Sequence, residues 1–375
     1  WDGVPAEPAG AAPPAPPLPG ARAWTPARHG LLLVGARFLV GWASALPLLG
    51  MLALLGAGTD ARRVLAWLFD PGLAGIAPVL GVLVAAVPLS LLVQALALRA
   101  AGRAREGVVS RWGPAYVRVW LKTSVVASAG RWLSGTMAWP LWLRLAGMRV
   151  GRRCEISTIV DVVPECVAIG DESFLADGIY LGGPRVDRGA VTLAATRLGR
   201  DTFLGNHVVV PAGRAHSDGL FVGVCTVADR EGGAWFGHPA FPLPRRAATG
   251  TDRALTHEPG PARRATRLFF ETLRFALPVV PMLVFLGWFK ALASCAWAAP
   301  ALWLVAVPAA ALAAAAAPCL FVLALKWSLL GRVRPGRHPL WSCWRSRWDF
   351  LYAAWGQLAR GPLSARDGTP LLAPY

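Results

Sequence analysis

Four long apolar runs and one stretch of short aliphatic repeats divide the chain. The runs are Leu31 to Leu55, Leu73 to Leu98, Leu277 to Leu292 and Ala298 to Leu325. As a helix, each is long enough to cross about 30 Å of hydrocarbon, which takes about 20 residues. Arg37 stands near the start of the first run. Pro278 and Pro281 fall near the start of the third, where a helix tolerates them, and Lys290 at its far end can snorkel to the headgroups. Four membrane helices in two pairs are expected.

Between the second and third runs the apolar period becomes six. Val150-Gly-Arg-Arg-Cys-Glu, Ile156-Ser-Thr-Ile-Val-Asp, Ile169-Gly-Asp-Glu-Ser-Phe, Leu175-Ala-Asp-Gly-Ile-Tyr, Leu198-Gly-Arg-Asp-Thr-Phe and Leu204-Gly-Asn-His-Val-Val each open on an aliphatic residue, usually followed by a small one. That period predicts a triangular, left-handed parallel β-helix, with aliphatics stacked inside and small residues at the corners. The leading aliphatics recur at 169, 175 and 181 and again at 198, 204 and 210. Coil one is read as 150–167, coil two as 169–186 and coil three as 198–215. Leu220, Val222 and Val224 begin a partial fourth coil. Residues 187–197 read as an insertion between coils.

Composition fits a membrane protein. The chain is 55% hydrophobic, and its mean hydropathy of +0.46 exceeds that of ordinary soluble domains. The formal charge is +17, with only 16% of residues charged. Such a balance points to a membrane surface rather than nucleic acid, for which no aromatic-basic or helix-turn-helix pattern is present. Residues 99–267 hold 23 of the 38 basic residues. The positive-inside rule therefore places the central region in the cytoplasm, making a multi-pass protein of the inner membrane. Trp112, Trp120, Trp132, Trp139 and Trp142 alternate with basic residues. They predict interfacial helices lying aromatic face down, or else packing on the cap of the β-helix. Six scattered cysteines lack a C-x-x-C pair, so neither zinc nor disulfides are expected.

The expected organisation is a Pro/Ala-rich linker (1–29), a transmembrane pair (30–100), interfacial helices (101–147), the β-helix (148–250), a second transmembrane pair (251–330) and a lead-in (331–375). Arg111-Trp-Gly-Pro-Ala-Tyr with Gly135-Thr-Met-Ala-Trp-Pro is echoed by Arg337-His-Pro-Leu-Trp with Gly368-Thr-Pro-Leu-Leu-Ala-Pro. In the first copy this lead-in opens a β-helix, so the parent protein is expected to continue with another.

Candidate chemistry lies in the repeats. His207 and His216 are candidate general bases, with His238 a third histidine nearby. Of 21 acidic residues, 11 lie between 150 and 231. Asp161, Glu165 and Asp177, with Asn206, are candidates for attracting and positioning a cationic amine; solvated corners are the other reading. Gly237, Pro239 and Ala240 match the G-x-P-A segment that lies along the acyl-donor groove of many left-handed β-helix acyltransferases, and equally suit a turn.

Pro140-Leu-Trp-Leu-Arg-Leu-Ala-Gly-Met-Arg-Val-Gly-Arg-Arg-Cys-Glu-Ile-Ser-Thr, Ile169-Gly-Asp-Glu-Ser-Phe-Leu-Ala-Asp, Phe203-Leu-Gly-Asn and Ala234-Trp-Phe-Gly-His-Pro, with the flanking spans, carry a resemblance. The chain resembles the C-terminal region of membrane-embedded ε-poly-L-lysine-synthetase-type nonribosomal peptide synthetases. The resemblance implies a condensing role, in which an amine attacks an aminoacyl group held as a phosphopantetheine thioester on a carrier domain. It implies upstream adenylation and carrier domains, an amino acid or oligomer amine as acceptor, and no cofactor bound by this segment itself. A membrane acyltransferase using acetyl-CoA and a non-catalytic scaffold or exporter module are the competing expectations. A homo-oligomer is expected, with a dimer favoured because flanking membrane helices obstruct trimer packing.

Overall fold

The computed structural model describes Pro14, residues 24–56, Arg62, and residues 73–244, 252–295 and 300–364. Most of the linker and the Gly368–Tyr375 echo fall outside them. The chain divides into two compact units, one of residues 1–44 and 91–250, the other of residues 45–90 and 251–375.

Among the described residues, four helical stretches are long and apolar enough to cross a membrane. Helix α1 spans Pro26–Leu55 and α2 spans Leu73–Ala100. The third stretch, Pro261–Ser294, begins earlier than the apolar run because two helices lie end to end. These are α5, Pro261–Leu273, and α6, Val279–Cys295. Pro278 precedes α6 and Pro281 lies in its first turn, where missing N–H donors cost little. Helix α7 spans Pro300–Leu329.

In the first unit, the hexad leaders pair in the expected register. Strands β2 (Arg149–Val150), β5 (Val167–Ile169) and β10 (Thr196–Leu198) form one parallel stack, with Val150 and Leu198 both opposite Ile169. A second stack holds β3 (Glu155–Ile156), β6 (Phe174–Leu175), β11 (Phe203–Leu204), β13 (Phe221–Val222) and β14 (Ala234–Phe236). Strand β15 (Phe241–Pro242) closes that stack antiparallel. The third stack is β4 (Ile159–Val160), β7 (Ile179–Leu181) and β12 (Val209–Val210). The chain visits the three stacks in turn.

Each coil is held by the same two devices. Ile156, Leu175, Leu204 and Val222 are buried one above the other, each removing an aliphatic side chain from water at about 1.5–3 kcal/mol. Beside them Phe174, Phe203 and Phe221 stack at 5.4 and 4.7 Å between centroids. The small residue after each leader of the first stack is required by space. A Cβ on Gly151, Gly170 or Gly199 would lie 2.4–2.5 Å from the backbone of the next coil. At the same corner Asp171 accepts from the Arg152 N–H and Asp218 from the Arg200 N–H, so the corner amides are satisfied coil after coil.

The stretch read as an insertion is ordered. Strands β8 (Arg185–Asp187) and β9 (Ala190–Leu193) form an antiparallel hairpin, and β1 (Gly107–Ser110) pairs with β9. Arg188 and Gly189 both have positive φ, as a two-residue hairpin turn of the primed kind demands. Val186, read as the end of coil two, belongs to this hairpin.

Helices α3 (Pro114–Leu133) and α4 (Ala138–Leu145) lead into the first coil. Trp139 and Trp142 are buried and stacked, and donate to the carbonyls of Ser157 and Leu91. These two therefore take the packing alternative, because neither ring is free to face headgroups.

In the second unit, Phe270, Leu277, Val322, Phe350, Ala354 and Leu358 form a shared core. Helix α8 (Cys343–Ala354) is capped by Ser342, whose hydroxyl accepts from the Arg345 N–H.

Candidate functional site

The corners between the second and third stacks gather three of the residues singled out from the sequence. Asp177 follows β6, and Asn206 and His207 follow β11, one coil further on. The Asp177 N–H donates to Asn206 Oδ1 at 3.1 Å, and the His207 N–H donates to the Asp177 carbonyl at 2.8 Å. Asp177 Oδ1 accepts from Ser157 Oγ and from Thr158 Oγ1, which belong to the same corner of coil one. Two hydroxyls thus orient an exposed carboxylate, and no cation pairs with it among the described residues.

His207 is exposed, and its backbone is in the left-handed region at φ 57°. Its ring lies over Gly178, where a Cβ would meet Nδ1 at 2.4 Å. The glycine is needed there to seat the imidazole. The ring nitrogens of His207 make no hydrogen bond among the described residues, so the ring is accessible but unoriented.

His216 is the converse case. It lies beyond the first stack, where its N–H donates to the Arg197 carbonyl. Nδ1 lies 2.8 Å from the Arg230 carbonyl oxygen, which fixes the proton on Nδ1 and the lone pair on Nε2. Nε2 is buried without a partner among the described residues. Burial pushes the imidazole below its usual pKa, against the pull of the Arg230 hydrogen bond, so the ring is neutral. It has the tautomer of a base and no access for a substrate. The two histidines occupy different corners.

Asp161 and Glu165 stand apart from Asp177, on the turn from the third stack back to the first. Asp161 has φ 54° and packs on Gly183. Glu165 accepts from Lys122 Nζ of α3 at 2.5 Å, and both side chains are buried. Lys122 also donates to the Leu98 carbonyl at 3.1 Å. Next to Glu165, burial and the adjacent carboxylate push the Cys166 thiol up to about 11. Gly237, Pro239 and Ala240 form the turn joining β14 to β15. The Gly237 N–H donates to Thr226 Oγ1 at 2.8 Å, and the His238–Pro239 bond is cis.

A cavity of about 1030 Å³ opens beside the Lys122–Glu165 pair and was not anticipated from the sequence. Its lining includes Arg103, Arg105, Arg118 and Arg149. One signal was present. Lys122 sits three residues from both Val119 and Val125, on the stripe α3 buries, where a lysine needs an internal partner. Ser157 and Thr158 were also missed, because hydroxyls at a corner carry no distinctive spacing.

Asp177 and His207 thus present an exposed carboxylate and an exposed imidazole on adjacent coils. Among the described residues, no three His, Cys, Asp or Glu side chains are grouped to hold a metal ion.

No protein-family model matches the chain. A δ-poly-L-ornithine synthetase of Acinetobacter baumannii (strain AB307-0294) is 34% identical over 254 residues, which is 64% of this chain and 19% of that protein. The chain thus spans about a fifth of the length of this curated relative. A maltose O-acetyltransferase from Clostridium difficile 630 aligns over 40% of this chain and 95% of its own, with 13% identity and a TM-score of 0.26.

Proposed function

We propose that this chain is an amide-bond-forming segment of a longer, membrane-embedded poly-amino-acid synthetase. The observation that carries the reading is the 34% identity to a poly-ornithine synthetase across 254 residues. The corner at Asp177 supplies matching chemistry. The carboxylate attracts the ammonium group of an amino acid or growing oligomer, and Asn206 fixes the corner through the Asp177 N–H. His207 takes the proton that the amine must lose before it attacks. The amine nitrogen bonds to the carbonyl carbon of the donor thioester, the C–S bond breaks, and the departing sulfur ends as a thiol. The donor is an aminoacyl phosphopantetheine thioester presented by upstream carrier and adenylation domains. The preference for His207 over His216 rests on access, since the His216 lone pair is enclosed.

In this reading the three parallel stacks form a left-handed β-helix of the hexapeptide-repeat kind, with the Gly237 to Ala240 turn beside the donor. The excess of Lys and Arg between the second and third spans supports an inner-membrane protein with the β-region on the cytoplasmic side. Polymer formation by the parent protein carrying Asp177→Asn or His207→Ala tests the site. Both variants are expected to load the carrier normally; His207→Ala loses amide formation by about 100-fold, the lower range for removing a general base, and Asp177→Asn needs more amine acceptor to reach the same rate. Wild-type polymer yield from both variants removes the assignment.

A further inference from the structure

We infer that the cavity beside α3 binds a phosphate ester bearing an organic arm. Two other arginines nearby are already engaged. Arg99 donates to the Leu145 carbonyl at 2.7 Å, and Arg144 to the carbonyls of Val150 and Gly151. Those two are spent on backbone oxygen atoms. Arg103, Arg105, Arg118 and Arg149 are exposed and line one cavity, and their guanidinium groups have no hydrogen bond or ion pair among the described residues. Four like charges in one lining repel each other, and among the described residues only two carboxylates share it. Glu165 is already neutralised by Lys122, which leaves Glu106 alone against four guanidinium groups. Such a wall favours an anion with several oxygen acceptors. The planar, forked guanidinium suits phosphate oxygens better than a point charge does.

Size and the inner wall define the rest of the ligand. About 1030 Å³ is far more than one phosphate fills and is typical of a site for a small organic molecule. Val119, Cys166 and Leu193 form a buried apolar cluster that also contributes to the lining. The thiol of Cys166 remains protonated, since burial pushes it up to about 11, so it adds no charge to that wall. The phosphoryl group lies among the arginines, and the arm lies along the apolar side.

Two sources supply this chemistry, a soluble phosphate ester such as phosphopantetheine and the headgroup phosphate of a lipid. The probe is 4′-phosphopantetheine, titrated by calorimetry into the full chain in a phosphate-free detergent, with pantetheine as its dephosphorylated partner. Binding by phosphopantetheine at least tenfold tighter than by pantetheine is expected. Arg118→Ala and Arg149→Ala, both at exposed positions, are expected to weaken it by tenfold or more. Arg152→Ala, outside the cavity, is expected to leave it unchanged. Equal affinity for the two probes, or unchanged affinity in both cavity variants, overturns the inference. Repeating the titration in lipid nanodiscs separates the sources. Loss of binding there, restored on return to detergent, identifies a lipid phosphate as the occupant; retained binding identifies the soluble ester. Either result upholds the phosphoryl site. The measurement involves no reaction, so it stands or falls separately from amide formation.

Discussion

Lys122 and Glu165 form a buried ion pair at 2.5 Å, with the lysine side chain 0% and the glutamate side chain 7% exposed. The pair ties α3 to the turn that follows the first coil. Lys122→Met leaves Glu165 buried and uncompensated, at an expected cost of about 3–5 kcal/mol. Lys122→Met with Glu165→Leu removes both charges and is expected to recover most of that loss. Chemical unfolding of the detergent-solubilised chain reads both variants.

The glycine stack predicts a steric outcome. In Gly170→Ala the new methyl group meets the Gly199 and Arg200 backbone at 2.5–2.6 Å, so adjacent coils must separate. The expected cost is about 1–3 kcal/mol. Faster hydrogen exchange at the amides of Gly170 and Phe174, whose acceptors Leu198 and Thr202 lie in the adjacent coil, shows where the coils part.

His216 makes stability depend on pH. Its folded pKa is pushed down by burial, so the unfolded chain holds the proton more tightly. The stability that goes with the neutral ring is complete above the ordinary value of 6.5 and is lost as pH falls below it toward the depressed folded value. The melting temperature of the wild-type chain is therefore expected to fall more steeply with acid in this window than that of His216→Asn. Parallel slopes contradict the burial of a neutral ring.

The thiols predict a reactivity contrast. Cys166 is buried and its thiol is raised to about 11, whereas Cys225 is exposed on a corner with φ 53°. Near neutral pH, N-ethylmaleimide is expected to label Cys225 and spare Cys166 in the folded chain, with both labelled after denaturation. Peptide mass spectrometry reads the pattern.

The sequence revealed the coil register because that register follows from one aliphatic residue and one small residue every six positions. Ile169 between Val150 and Leu198 is a direct consequence. The hairpin at 185–193 was hidden because its signal, Arg188-Gly189 between Val186 and Val191, is shorter than the repeats around it. At the site, Asp177, Asn206 and His207 were legible as residues, and their contact follows once the register is known. Asp161 and Glu165 were grouped with Asp177 by closeness in sequence. One coil carries them past a further corner, so closeness along the chain does not place them together. The arginine cavity was illegible because Arg103, Arg118 and Arg149 are brought together only by packing of α3 on β1 and on the first coil.

We propose that the Asp177–His207 corner promotes amide formation. The direct measurement is a single-turnover assay on the parent protein, loaded with labelled amino acid as its thioester and chased with free amine acceptor. The rate of label transfer from thioester to amide is compared between wild type and His207→Ala at equal loading. A fall of about 100-fold or more, with the thioester persisting, is the predicted result. Transfer at the wild-type rate would leave His207 without a role in that step.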